Sequence, residues 1–101
     1  MKLIIAIVHK DDAGPVLDEL LRREYRATRI NSSGGFLRQG NSTLLIGVDE
    51  ADVDHVIAAI RATAKRRTQP AVERSSASAG AVVETRAATV FVVDLAGVVR
   101  L

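Results

Sequence analysis

Residues 2 to 8 carry, from Leu3 on, a continuous apolar run of leucine, isoleucine, alanine and valine, a pattern that predicts a first strand with apolar side chains on both faces. The period then changes. Val16, Leu17, Leu20 and Leu21 recur at helical spacing up to Arg23, while Asp18, Glu19, Arg22 and Arg23 fall off that stripe. Asp11 or Asp12 is the expected cap, and Pro15 is expected in the first turn, where a missing N–H is tolerated. From Tyr25 to Ser33 the helical period stops and a strand is predicted, ending at the turn that Gly34-Gly35 permits. Asn41 to Val48 reads as a third strand. Asp49 and Asp52 then resemble a capping pair opening a second helix, with Val53, Val56, Ile57 and Ile60 as its apolar stripe. Residues 68 to 80, rich in serine and alanine, lack any sustained period and predict a flexible loop. Residues 81 to 95 return to strand chemistry, as one bent strand or two.

The resulting order is β-α-β-β-α-β. It predicts an α+β, ferredoxin-like fold, with an antiparallel four-stranded sheet and both helices on one face, in a single domain spanning 1–101. Two helices cover one face of such a sheet, so a first strand apolar on both sides leaves apolar surface on the other. Self-association through that bare face is the natural expectation.

Composition narrows the functional classes. With no cysteine, disulfides, thiolate catalysis and cysteine-ligated metal sites are excluded. His9 and His55 are the only histidines, too few for a histidine-rich metal site. The apolar run at the start is too short for a membrane span or a signal-peptide core, which predicts a cytoplasmic protein without a membrane partner. A net charge of +2 is small for a general nucleic-acid binder. The basic excess gathers at Arg61, Lys65, Arg66 and Arg67, where the second helix is expected to end and positive charge suits the helix dipole. Only Tyr25, Phe36 and Phe91 are aromatic, so a surface that binds RNA by stacking several bases is not expected.

Candidate chemistry collects around the second and third strands. Alternation puts Arg26, Thr28 and Ile30 on one side of the second strand, and Asn41, Thr43, Leu45 and Gly47 on one side of the third. Arg26 and Thr28 are either a phosphate-binding pair or a solvated strand edge. Asn41 offers a donor and an acceptor together, as adenine recognition requires, and Gly47 lets a flat ligand approach the backbone. Between these strands, Gly35, Phe36 and Leu37 sit in a segment that is either an ordinary hairpin loop or a cover for a base.

These stretches carry a resemblance. Met1 to Val8, Arg26-Ala-Thr-Arg, Ser33-Gly-Gly-Phe-Leu-Arg, Gly40-Asn-Ser-Thr-Leu-Leu-Ile-Gly-Val and Ala88-Thr-Val-Phe-Val resemble the PII-like cyclic di-AMP receptor family. The resemblance covers residues 1 to 67, resumes near Val83, and rests most on Gly-Gly-Phe-Leu-Arg-x-Gly-Asn. It implies a PII-like homotrimer that binds cyclic di-AMP at three clefts between subunits and transduces a signal without catalysis or a cofactor, acting on a downstream protein partner that the sequence does not name. It assigns ligand contacts to Arg26, Thr28, Gly35, Phe36, Leu37, Asn41, Gly47 and Phe91.

The chain departs from the family pattern at Glu24, at Arg86-Ala87 and in its last residues, Val98 to Leu101. These departures motivate an alternative: a PII-like trimeric interaction module that has lost cyclic di-AMP binding or binds another nucleotide. An enzyme finds no support, since no nucleophile sits near a base and the acidic cluster from Asp49 to Asp54 reads as a solvent-facing helix start.

Overall fold

The computed structural model of the chain describes residues 1–30, 40–64, 67–70, 82–85 and 87–101. In order these form β1 (Lys2–His9), α1 (Lys10–Arg22), β2 (Thr28–Ile30), β3 (Asn41–Val48), a 3-10 turn (Glu50–Asp52), α2 (Val53–Thr63), β4 (Arg67–Pro70), β5 (Val82–Thr85) and β6 (Ala88–Asp94). Strands β2, β3, β1 and β6 lie side by side in that order as one antiparallel sheet, and β4 pairs with β5 in a second, two-stranded sheet. With β6 as its closing strand, the main sheet has the ferredoxin-like topology that the hydrophobic pattern predicts. No helix among the described residues is long and apolar enough to cross a membrane.

Strand register explains the core. Ile4 stands between Ile46 and Val92, Ala6 between Leu44 and Val90, and Val8 between Ser42 and Ala88, so all share one face. There Ile4, Ala6, Val8, Leu44, Ile46 and Val48 pack with Ala13, Val16 and Leu20 of α1 and with Val56, Ala59 and Ile60 of α2. Burying each large aliphatic side chain contributes about 1.5–3 kcal/mol, so this helix-covered face dominates stability. Leu3, Ile5 and Ile7 point the other way and are only half-buried.

Helix α1 begins before the aspartates expected to cap it. His9 is the N-cap, its Nδ1 accepting from the Asp11 backbone N–H at 3.0 Å, and Asp11 and Asp12 fall in the first turn. Negative charge there still suits the dipole. Pro15 consequently lies in the second turn, and the helix continues past it to Arg22. The apolar stripe is narrower than its spacing suggests: Val16 and Leu20 are buried, but Leu21 is 65% exposed. The helix closes with two reverse bonds, Glu24 N–H to the Leu21 carbonyl at 2.9 Å and Tyr25 N–H to the Leu20 carbonyl at 2.8 Å. This closure needs a left-handed residue after the cap, usually glycine or asparagine. Here it is Glu24, with φ 68°, a conformation that costs a residue bearing a Cβ about 1–2 kcal/mol.

Other expectations are corrected in the same physical terms. The second strand spans only Thr28–Ile30, because Tyr25 is drawn back to the end of α1; residues 31–39 lie outside the described residues. Neither Asp49 nor Asp52 makes a side-chain cap bond: Asp49 precedes the 3-10 turn, and the Asp52 carboxylate accepts the Tyr25 hydroxyl at 3.1 Å. Val53, Val56 and Ile60 face the core as their spacing implies, whereas Ile57 is only half-buried and Ala59 takes a core position. The start of the expected loop at 68 to 80 is strand, with Arg67 opposite Thr85 and Pro70 opposite Val82. A polar strand of four residues shows no apolar period to a sequence reader. Residues 71–81, like Lys65 and Arg66, lie outside the described residues. Of the two arrangements expected beyond residue 81, the structure has two strands, Val82–Thr85 and Ala88–Asp94.

Candidate ligand-binding face

From Glu24 to Thr28 burial alternates: Glu24, Arg26 and Thr28 are exposed, while Tyr25 and Ala27 are half-buried against the core. Tyr25 anchors this segment twice, through its backbone to Leu20 and through its hydroxyl to Asp52. Desolvation and the Asp52 acceptor both hold the phenol protonated above its ordinary range. An anchored inward side chain leaves its neighbours turned outward, onto the side of the sheet that the helices do not cover.

Strand β3 extends this bare face. Thr28 pairs with Leu45 and Ile30 with Thr43, while Arg26 lies two residues before the first paired position of β2. Across β1, Leu3 pairs with Gly47, Ile5 with Leu45, Ile7 with Thr43 and His9 with Asn41. Strand β6 adds Val93 beside Leu3, Phe91 beside Ile5 and Thr89 beside Ile7. Arg26, Thr28, Asn41, Gly47 and Phe91 are therefore brought onto one face, as alternation implies. Gly35, Phe36 and Leu37 lie outside the described residues, as does Arg86.

The five do not form one cluster. Asn41 and Gly47 are six residues apart on β3, about 20 Å at the rise of a strand. Thr28, opposite Leu45, lies toward the Gly47 end of β3, with Asn41 beside His9 at the other. Phe91 lies in the Thr28 row but across β3 and β1, about 14 Å away at the usual strand spacing.

Hydrogen bonding separates the arginines. Arg22 and Arg23 both donate to the Glu19 carboxylate, at 2.6 and 2.7 Å, and hold that carboxyl below its ordinary range. Arg29, on the helix-covered side, donates to the Ser42 hydroxyl at 3.1 Å. Arg26 is exposed and has no hydrogen bond or ion pair among the described residues. A guanidinium without an internal acceptor can fork onto a phosphate. Gly47 on β3 is exposed, and no atom lies within 4 Å of where a Cβ would stand, so a ligand can approach the backbone. No group of three His, Cys, Asp or Glu suited to a metal occurs among the described residues.

Two features of this region escape sequence reasoning. Thr43 is 8% exposed, and its hydroxyl has no hydrogen-bond partner among the described residues; in sequence it is one more β-branched strand residue. The Tyr25–Asp52 bond joins positions 27 apart, and no local pattern signals it.

Comparison with known proteins agrees with this fold. A crystal structure of a functionally unknown protein from Pediococcus pentosaceus ATCC 25745 is 32% identical with a TM-score of 0.73, over 99% of this chain and 96% of that one. A family model described as cyclic-di-AMP receptor matches residues 1–101. The chain matches that family model from residue 1 to residue 101 and shares the fold of the Pediococcus pentosaceus protein, and it belongs to the cyclic-di-AMP receptor family.

Proposed function

We propose that this protein is a PII-like signal transducer that binds cyclic di-AMP at clefts between the subunits of a homotrimer. The observation that carries the reading is Arg26: alone among the arginines from 22 to 29 it has no internal acceptor among the described residues, and it is exposed two residues before Thr28. A guanidinium and a hydroxyl on one face suit a phosphodiester. Asn41 and Phe91 supply base contacts in this reading, and Gly35, Phe36 and Leu37 contribute the remaining ones.

Two facts support clefts between subunits. The candidate residues are spread along about 20 Å of one strand, so contacts taken from neighbouring copies assemble a compact site more readily than one copy does. The bare face also leaves Ile30, Phe91 and Val93 at least 40% exposed, and covering them on a second copy removes apolar surface from water. The protein acts in the cytoplasm, where it relays the ligand state to a protein partner and carries out no reaction.

Calorimetric titration with cyclic di-AMP, with light scattering on the same sample, tests this. One ligand per subunit at trimer mass is expected. A single-chain mass overturns the inter-subunit cleft. The second reading, a trimeric module without this ligand, draws on Glu24, which is exposed two residues before Arg26. Trimer mass without binding heat is its signature.

A further inference from the structure

His9 ends β1 on the bare face, where it pairs with Asn41. One step beyond, the Lys10 N–H donates to the Gly40 carbonyl at 2.7 Å, so residues 10 and 40 are a hydrogen-bonded pair and His9 and Asn41 a non-hydrogen-bonded one. In pairs of that kind the Cα atoms stand only about 4.5 Å apart and the side chains are closest. The imidazole and the amide therefore share one end of the bare face.

One ring nitrogen of His9 is already committed. Nδ1 accepts from the Asp11 backbone N–H at 3.0 Å, while the Asp11 carboxylate comes only to 3.6 Å of it. A nitrogen that accepts carries the lone pair, so the ring proton sits on Nε2 and the helix cap fixes the tautomer. The His9 side chain is only 31% exposed, yet Nε2–H has no acceptor among the described residues. Asn41 is half-buried, and its amide is without a partner there too. Thr43, next on the same face of β3, is 8% exposed with an unpaired hydroxyl. Polar groups withdrawn from water without partners are rare, and three on neighbouring positions mark a place where an outside molecule completes the bonding.

Resting on the receptor reading, we propose that His9 is a further ligand-binding residue, whose Nε2–H donates to an acceptor nitrogen of the base that Asn41 reads. The amide supplies a donor and an acceptor, the imidazole a donor alone. Adenine presents ring-nitrogen acceptors on more than one edge, so one base can take both residues. Because the cap on α1 orients the ring before ligand arrives, the donor is held ready without a rearrangement of its own.

The test uses calorimetry with cyclic di-AMP and thermal unfolding on the parent protein, His9→Asn and His9→Ala, together with nitrogen NMR of the parent carrying labelled histidine. Asparagine is among the best helix N-caps, so His9→Asn keeps the start of α1, but its amide is too short to stand where Nε2 stands. His9→Asn is expected to unfold at the parent's temperature and to bind about tenfold more weakly, whereas His9→Ala loses stability as well as affinity. In the parent, the Nε2–H signal of His9 should move when ligand is added, while that of His55, exposed on α2, stays in place. The NMR arm needs no variant to fold. Parent-like affinity in a folded His9→Asn, or an Nε2–H signal unmoved by ligand that the parent binds, overturns the His9 contact and spares the receptor reading. A parent that does not bind cyclic di-AMP overturns the receptor reading and the contact with it.

Discussion

The two faces of the four-stranded sheet are built from the same strands and from similar side chains, yet only one of them is a core. On the helix-covered face Ile4, Leu44 and Ile46 are 0% exposed, while on the bare face Ile30, Phe91 and Val93 are 40–50% exposed. Polar residues divide in the same way. Arg29, opposite Leu44 on the covered side, is held by Ser42, whereas Arg26 on the bare side has no partner among the described residues. What a side chain contributes depends on what covers it, so apolar strand residues stabilise on one side and remain available for recognition on the other.

The contrast is broken most severely from the covered side. Leu44→Ala should lower the unfolding free energy by about 2–5 kcal/mol, measured by urea denaturation, because it opens a cavity in fully packed surroundings. A loss well under 1 kcal/mol would place the core elsewhere. From the bare side, Phe91→Asp should leave the circular dichroism of the chain intact while weakening each subunit contact by about 2–3 kcal/mol, since a polar group there loses water without gaining a partner. Light scattering reads this as a shift from trimer to single-chain mass, and an unchanged mass would detach Phe91 from any interface.

The arginines sharpen the same comparison. Arg26→Ala should weaken cyclic di-AMP binding by about 2 kcal/mol or more with thermal stability preserved, and Arg29→Ala should alter affinity by less than about 0.5 kcal/mol. Equal effects on affinity would mean that the free guanidinium is not the ligand group.

Two glycines on β3 and its approach make a smaller contrast. Gly40 has φ 92°, so Gly40→Ala should cost about 1–2 kcal/mol of stability. Gly47 faces open space, so Gly47→Ala should leave stability unchanged or raise it by about 0.5–1 kcal/mol. If Gly47 lies against ligand, the added methyl weakens binding despite the sounder fold, and calorimetry on that variant decides it.

The smallest effect is on pH dependence. The Tyr25 phenol is raised above its ordinary 10.0 by desolvation and by Asp52, so its contribution is fully present below pH 10 and is lost as pH rises through the folded value. Tyr25→Phe should remove that alkaline loss while retaining the packing. The Glu19 carboxyl runs the opposite way, lowered by hydrogen bonds from Arg22 and Arg23, so its contribution is present above its ordinary 4.5 and fades as pH falls through the folded value. Chemical denaturation across pH follows both.

What could be read from the chain alone is what depends on near neighbours. The run from 2 to 8, the alternation over Asn41 to Val48 and the stripe of Val53, Val56, Ile57 and Ile60 specify two strands and a helix, because period 2 and period 3.6 are properties of a few consecutive residues. Alternation likewise puts Arg26 and Thr28 on one side of the second strand, and Asn41 and Gly47 on one side of the third. Residues whose behaviour is set by distant partners were not legible in this way. One local exception is His9, which caps α1 in place of an aspartate by accepting from the Asp11 N–H two residues on. Tyr25 leaves the expected strand for Leu20 and Asp52, and polar Arg67–Pro70 becomes a strand only by pairing with Val82–Thr85. Alternation sets Arg26 and Arg29 on opposite sides in sequence but does not say which of them is held. Among the described residues that difference is an acceptor thirteen residues from Arg29 and none for Arg26, and such long-range partners exist only once tertiary packing has brought strands and helix ends together.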